Sequence, residues 1–149
     1  GYVIVDFANG MRAMLELCMF AEGARYQEEI SATGPSGKIE ALVPGPGRFW
    51  PPHLGAAPIP KIIISPRSPK GPETRDFPVD AALLDAGDHN GSTFYQHEGF
   101  LELVRGERAR PDVSLQDGWK AVALGMAAQQ SALSGQAVTL SGAPWDAPS

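Results

Sequence analysis

The sequence has little cysteine, no excess of basic residues and no long apolar run, and each of these shortages excludes a class of protein. Its single cysteine, Cys18, cannot form a disulfide within the chain, which favours a reducing, cytoplasmic setting. No apolar stretch approaches the roughly 20 residues that a membrane-spanning helix needs. With 12 basic and 17 acidic residues the formal net charge is −5, so the basic field that binds nucleic-acid phosphates is missing. We therefore expect neither nucleic acid nor a membrane as a partner.

Glycine and proline are abundant instead. The 149 residues include 17 glycines and 14 prolines, which favours many turns and argues against an all-helical bundle. The length suits one domain, predicted to span 1–149. Ten of the prolines fall in 44–78, predicted to be an irregular excursion, because proline removes a backbone donor and forces its predecessor to extend. Short strands at 61–65 and 74–77 are plausible within it, and a disordered linker is the alternative.

The first 43 residues have the pattern of antiparallel strands. Strands are predicted at 2–7 and 11–20 around Asn9-Gly10, a hairpin signal in which both turn residues take positive φ. A second hairpin is predicted from 26–33 and 38–43. The 11–20 strand carries apolar residues on both faces, so we expect it to lie centrally in a sheet with cover on each side.

Two helices are predicted in the last third of the chain. Ser92 is placed to cap the first, and Gly106 to end it. Ser114 with Asp117 resembles a capping box at the start of the second, which Gly135 ends.

Apolar side chains recur at helical spacing along the second predicted helix, which is typical of core packing, and a short final strand is expected at 138–140. Strands first and helices after predict an α+β fold. We expect an open, mainly antiparallel sheet with helices packed on one face.

Few residues have the spacing of a catalytic or metal site. His53, His89 and His97 show no paired zinc spacing, so no metal is predicted. His89 and His97 bracket a helix start near Asp85 and Asp88, and this is the one polar cluster that suits catalysis. The favoured interpretation of this cluster is a solvated connection with a helix cap, and catalysis is the alternative.

The order of several short runs resembles the C-terminal domain of the Gfo/Idh/MocA oxidoreductases, the family of glucose–fructose oxidoreductase and myo-inositol dehydrogenase. The resemblance covers most of 1–43 and 88–140. The runs that carry it are Leu17-Cys18-Met19-Phe20-Ala21-Glu22-Gly23, Tyr26-Gln27-Glu28-Glu29-Ile30, Gly34-Pro35-Ser36-Gly37-Lys38-Ile39-Glu40, His89-Asn90-Gly91-Ser92-Thr93-Phe94-Tyr95-Gln96-His97, Phe100-Leu101 and Val113-Ser114-Leu115-Gln116-Asp117-Gly118.

The resemblance implies a role within a two-domain enzyme. Family members join an N-terminal Rossmann domain that binds NAD(P) to a C-terminal domain with a large open sheet, one face of which often forms oligomer contacts. Their reaction is hydride transfer between nicotinamide and a sugar or polyol carbon. The chain starts in a strand, so we expect the N-terminal Rossmann domain to be missing from it. NAD(P) is then expected to bind the full-length parent, and no cofactor is expected in this chain.

The family's catalytic groups are also expected to be absent. The family has a Glu-Lys-Pro motif in its first domain, and no lysine here is followed by proline. Its Asp-x-x-x-His motif is matched in spacing only by Asp85 and His89, late in the chain, which we interpret as coincidence. We therefore assign no catalytic residue and expect the chain to be inactive alone. Its expected role is to form the substrate side of the cleft and to build a homo-oligomer through the open sheet face.

Five side chains are the candidates to face a substrate. Arg25 and Tyr26 lie at a predicted strand start, and His89, Tyr95 and His97 lie near a predicted helix start. A polyol needs several hydrogen-bond donors and acceptors, which these side chains supply. Two other interpretations stay open: a stand-alone binding or scaffold domain that kept the fold without the chemistry, and a small independent enzyme using the histidines with Asp85.

Overall fold

A computed structural model describes residues 1–142 of the chain. The protein is α+β, as predicted: within these residues it has two open antiparallel sheets, of two and four strands, and three α-helices. The chain divides into two compact units, the first made of 1–17 with the residues from 99 onward, the second of Cys18–Glu98.

The strands and helices have the following bounds. The strands are β1 (Tyr2–Asp6), β2 (Arg12–Glu16), β3 (Glu28–Gly34), β4 (Gly37–Val43), β5 (Lys61–Pro66) and β6 (Glu73–Asp76). The α-helices are α1 (Ala81–Ala86), α2 (Ser92–Val104) and α3 (Leu115–Ser134). Short 3₁₀ turns occupy Gly47–Phe49, Pro52–Leu54 and His89–Gly91.

The first unit opens with the predicted hairpin, in which β1 pairs antiparallel with β2. Its turn differs from the expected one, because Gly10 has φ +85° while Asn9 does not have a positive φ. The N–H of Gly10 donates to the carbonyl of Phe7 at 2.9 Å, and the N–H of Phe7 to that of Met11 at 2.9 Å, which is a three-residue loop.

The central position expected for β2 is wrong. Among the described strands β2 pairs with β1 alone, so it is an edge strand of a two-stranded sheet. All five of its residues are exposed. The apolar residues on both faces of β2 therefore mark exposed surface, and not a strand that other elements cover on each side.

The second unit contains a four-stranded sheet with the order β3-β4-β5-β6. The predicted hairpin of β3 and β4 is confirmed, with Pro35-Ser36 as a two-residue loop between the paired Gly34 and Gly37. The proline-rich stretch supplies β5 and β6, close to the predicted strands, and the disordered-linker alternative fails for those two segments.

One face of this sheet is apolar. Ile30, Ala41 and Ile62 lie in one row across β3, β4 and β5, and Ala32, Ile39 and Ile64 lie in the next. Ile30 is 72% exposed and Ile39 is 45% exposed. The apolar face is therefore partly open to solvent.

Helix α1 was not predicted, and Asp80 caps it by accepting a 2.8 Å hydrogen bond from the N–H of Ala82. The predicted capping role of Ser92 is wrong, because Ser92 has helical angles (φ −59°, ψ −38°) and is the first residue of α2. The predicted stop at Gly106 is confirmed: α2 ends at Val104, and Gly106 has φ +75°.

Helix α3 has the predicted ends. Ser114 accepts from the N–H of Asp117 at 3.1 Å while the Asp117 carboxylate accepts from the N–H of Ser114 at 2.9 Å, and Gly135 closes the helix with φ +68°. The expected core packing is not present in the described chain, since α3 has no buried residue and Trp119 is 53% exposed. The predicted strand at 138–140 is also wrong, because this segment forms no regular element.

Few side chains are well covered. In residues 1–142 no hydrophobic side chain is buried. None of the helices in that part of the chain is both long and apolar enough to cross a membrane.

Candidate functional site

All five predicted substrate-facing residues lie in the second unit. Arg25 is exposed and Tyr26 half-buried, and both precede β3. His89 lies in the 3₁₀ turn before α2, and Tyr95 and His97 are exposed in the first half of α2.

The 3₁₀ turn is held in an unusual backbone conformation. His89 and Asn90 have φ +64° and +52°, in the left-handed region that non-glycine residues rarely adopt. The side-chain amide of Asn90 donates a 2.8 Å hydrogen bond to the backbone carbonyl of Pro44, 46 residues earlier. Pro44 and Gly91 are both buried. This anchor holds the start of α2 against the end of β4.

Gly91 is required where α1 approaches the turn. Its φ is +81°, and a Cβ there would lie 3.2 Å from the Cδ1 atom of Leu83 and 3.5 Å from the Tyr95 ring. A larger residue would be strained at this φ and would displace the Leu83 side chain slightly. Tyr95 itself packs edge-on against the Phe94 ring, with centroids 5.5 Å apart.

An ion pair joins the turn to the proline-rich segment. The Arg48 guanidinium lies 2.5 Å from the Asp88 carboxylate, and it also lies over the Phe49 ring, 4.5 Å from its centroid. The hydrogen bond from Arg48 is the main cause that lowers the pKa of Asp88, and the neighbouring His89 adds to the lowering. The pair with Arg48 therefore extends toward acid the pH range in which Asp88 is a carboxylate.

A second pair lies on the sheet side. The Nδ1 atom of His89 is 3.6 Å from a carboxylate oxygen of Glu28, at the start of β3, and the pair is ionic only when the imidazole is protonated. Both side chains are about half exposed, His89 at 55% and Glu28 at 54%. Water therefore screens their interaction.

A cleft of about 310 Å³ lies between the 3₁₀ turn, α1 and α2. It is lined by Leu83, Gly87, Asp88, Gly91, Thr93, Phe94 and His97. We call it the α2 cleft. An imidazole, a carboxylate and a hydroxyl supply donors and acceptors, and Phe94 and Leu83 supply apolar wall, a mixture suited to a small polyhydroxylated molecule.

The structure brings together only part of the predicted set. His97 lines the α2 cleft, whereas Arg25, Tyr26, His89 and Tyr95 do not belong to its lining. His89 is instead turned to Glu28.

Sequence reasoning missed Arg48, Glu28 and Thr93. Arg48 and Glu28 come from distant segments, and nothing in their local sequence links them to the turn. Thr93 had a usable signal, since it lies between two of the predicted residues on the same short run.

Asp85 is exposed in α1 and is not part of the cleft lining, so the structure does not assemble it with His97. No group of three or more His, Cys, Asp or Glu side chains within 1–142 is arranged to hold a metal ion.

A larger hollow of about 680 Å³ lies in the first unit, along α3 and 138–140. Among residues 1–142 its lining is mostly apolar, with Met126, Leu133, Val138 and Leu140 among its residues, and includes no charged or imidazole side chain. It lacks the groups for acid–base or ionic chemistry, so the α2 cleft is the candidate site.

Comparison with models of known protein families gives no match, and comparison with curated protein sequences gives no significant match.

Proposed function

We propose that this chain is the substrate-side and oligomer-forming domain of a cytoplasmic NAD(P)-dependent oxidoreductase that acts on a sugar or polyol. The family resemblance of the sequence motivates the proposal, and the α+β fold with open antiparallel sheets is compatible with it. In this role the chain binds one side of the substrate, and a separate Rossmann domain holds the nucleotide.

The observation that carries the proposal is that His97 and Asp88 both line the α2 cleft. Sugar hydroxyls both donate and accept hydrogen bonds. A carboxylate accepts only, while a neutral imidazole donates from one nitrogen and accepts at the other. Asp88, paired with Arg48, supplies an acceptor and His97 can supply a donor, so the two side chains together suit the hydroxyls of a polyol.

Exposed apolar surface supports the need for partners. Ile30 and Ile39 are exposed on the face of the four-stranded sheet, and Trp119 and Met126 are exposed on α3. Apolar surface of this kind commonly marks protein interfaces. A second copy on the sheet face and a Rossmann domain elsewhere are the partners that the proposal assigns.

The test is an NMR titration of the 149-residue chain with myo-inositol. We expect amide shifts concentrated in 83–97, with dissociation constants of about 1 mM or weaker for such a small, open site. His97→Ala should weaken binding several-fold. His53→Ala is the matched control, because His53 is an exposed imidazole of the same unit outside the cleft lining, and it should leave binding unchanged.

Two results would contradict the proposal. One is the absence of shifts in 83–97 for any of a panel of sugars and polyols. The other is equal weakening by His97→Ala and His53→Ala, which would mean that the α2 cleft is not the binding site.

The second candidate is a stand-alone binding or scaffold domain, favoured by the same exposed apolar face on the β3–β6 sheet. In that case polyol titrations stay flat while self-association or association with another protein persists. Ile30→Asp should then reduce association without any change at the α2 cleft.

A further inference from the structure

The free edge of β2 has its backbone hydrogen-bonding groups turned outward. Gly1 and Leu17 exchange both backbone bonds, at 2.7 and 2.8 Å, so they form a hydrogen-bonded pair of the hairpin. Such pairs alternate along an antiparallel ladder. With the register Tyr2↔Glu16, Ile4↔Met14 and Asp6↔Arg12, the N–H and C=O groups of Arg12, Met14 and Glu16 therefore face away from β1.

The edge is also open. All of β2 is exposed, Met14 at 67%, and in the described chain no strand other than β1 pairs with it. A strand edge of this kind is a ready template for another strand.

The sequence of β2 is complementary to itself in one antiparallel register. When two copies pair about Met14, Arg12 of each copy lies opposite Glu16 of the other, and Met14 lies opposite Met14. These are the residues whose backbone groups point outward, so this register also forms a continuous ladder of hydrogen bonds. A shift by two residues would place Met14 opposite Arg12 or Glu16 and lose both charge pairs.

On each face of the resulting four-stranded sheet, the side chains that meet would be compatible in charge or in apolar character. On one face, Arg12 of the intrachain Asp6–Arg12 ion pair, at 2.5 Å, would also meet Glu16 of the second copy. Glu16 already accepts a 3.1 Å hydrogen bond from the Tyr2 hydroxyl within its own hairpin. Ile4 would lie beside Met14 on the same face.

On the opposite face the pairs Val3↔Leu15 and Val5↔Ala13 of one copy would lie against the same pairs of the other. This gives an apolar surface across all four strands. A two-stranded hairpin alone is marginally stable, and four strands with an apolar face are a more stable arrangement.

We propose that the outer edge of β2 pairs antiparallel with β2 of a second copy of this chain, about a two-fold axis at Met14. The contact is isologous, since each copy contributes Arg12 to one charge pair and Glu16 to the other. It lies in the first unit, on a surface different from the β3–β6 sheet face, and it does not depend on the proposed oxidoreductase role.

Charge exchange tests the register. Arg12→Glu and Glu16→Arg each place like charges opposite one another, and each should weaken self-association of the full chain by about tenfold or more. The triple variant Asp6→Asn/Arg12→Glu/Glu16→Arg should restore it, because Asp6→Asn removes the carboxylate that would otherwise face the new one at position 12. A mixture of the two single variants should associate as a heterodimer, because their edges are complementary. Sedimentation of the full chain in an Ile30→Asp background, which weakens any association through the β3–β6 sheet face, measures each case.

The intrachain pair needs its own control, because Arg12→Glu also removes the bond to Asp6. Asp6→Asn weakens that bond while leaving Arg12 free to meet Glu16 of the second copy. We expect it to leave self-association nearly unchanged.

Crosslinking tests the position of the axis. In a Cys18→Ser background, Met14→Cys should form a disulfide between copies, because hydrogen-bonded pairs have Cα atoms about 5.5 Å apart, within disulfide range. Ala13→Cys is the matched control and should not crosslink, because Ala13 lies opposite Leu15 of the second copy. Three results would each overturn the proposal. The first is a wild-type chain that stays monomeric at high concentration. The second is self-association that charge exchange does not change, and the third is equal crosslinking at 13 and 14.

Discussion

The hairpins β1–β2 and β3–β4 share a simple antiparallel design but differ in what surrounds them. Every residue of β2 is exposed, whereas most of β4 is half-buried. The cause is the third strand: β5 pairs with the outer edge of β4, while no described strand pairs with the outer edge of β2. Long-range pairing, more than local sequence, therefore decides which hairpin forms the interior of a sheet.

The same contrast holds for the helices. The second unit fixes the start of α2 with the Asn90–Pro44 bond, between residues 46 apart in sequence. The first unit begins α3 with the Ser114–Asp117 capping box, three residues apart. The second unit therefore depends more on distant contacts, and its long-range contacts should be the more costly to break.

Gly37→Ala is the substitution with the largest expected effect. Gly37 has φ +150°, and a Cβ there would lie 2.4 Å from the backbone oxygen of Ser65 and 2.9 Å from the Cα of Pro66, at the join between β4 and β5. We expect a loss of about 3 kcal/mol in the stability of the second unit. Hydrogen exchange of the β3–β6 amides, read separately from the β1–β2 amides, measures it.

The paired residue Gly34 is the matched control, because a Cβ at that position meets no atom within 4 Å. Gly34→Ala should leave exchange in the sheet nearly unchanged. Equal effects of the two substitutions would show that β4 and β5 are not packed as closely as described.

Asn90→Ala should have the next largest effect. It removes the half-buried bond to Pro44 and puts alanine at φ +52°, for a combined cost of about 2 kcal/mol. Asn90→Gly loses the bond but tolerates the φ, so it should cost less than Asn90→Ala. Proteolysis or exchange of residues 83–97 reports the local opening. If Asn90→Gly and Asn90→Ala cost the same, the backbone conformation is not a source of strain.

Ser114→Ala tests the capping box at the start of α3 in the first unit. Loss of an N-cap serine costs about 1 kcal/mol, and here it also leaves the N–H of Asp117 without its acceptor. We expect faster exchange in the first turns of α3 and no change in the β3–β6 sheet. Ser134→Ala is the comparison at the opposite end of α3: its hydroxyl donates to the Gln130 carbonyl and accepts from the N–H of Gln136, so this variant should change exchange in the last turn and not in the first. Faster exchange in the β3–β6 sheet of Ser114→Ala would contradict the expectation that this capping box acts only locally.

The smallest expected effect is the pH dependence of the Arg48–Asp88 pair. The pKa of Asp88 is lowered in the folded protein, so its contribution is present above the unfolded-state pKa of about 3.9 and is lost as pH falls through the lower folded value. Denaturation curves between pH 6 and pH 2 should show a shallower acid loss for Asp88→Asn than for wild type. Because both side chains are about half exposed, the difference will be small. A steeper acid loss in Asp88→Asn would contradict the sign of the shift.

Local signals predicted much of the fold. Turn residues between β-branched runs located β1 to β4, and a serine followed by an aspartate located the start of α3. Helix α1 was missed because six residues are too few for a helical period to appear. The position of β2 was wrong because an apolar face predicts burial only when a covering element exists.

The site was less predictable than the fold. His97 and Asp88 lie in adjacent local segments, and the sequence placed them near one helix start. Arg48 and Glu28 reach the turn only through the path of the proline-rich segment and the register of β3, which no local pattern encodes. Arg25 and Tyr26 were chosen from a strand start, but the α2 cleft is formed by the turn and the helices instead.

We propose that this chain holds the substrate side of a two-domain enzyme and not the nucleotide. Parallel calorimetric titrations of the 149-residue chain with myo-inositol and with NADH are the decisive test. We expect weak, saturable heat with the polyol that His97→Ala diminishes, and no binding heat with NADH. Micromolar NADH binding, or a flat polyol titration in the wild-type chain, would contradict it.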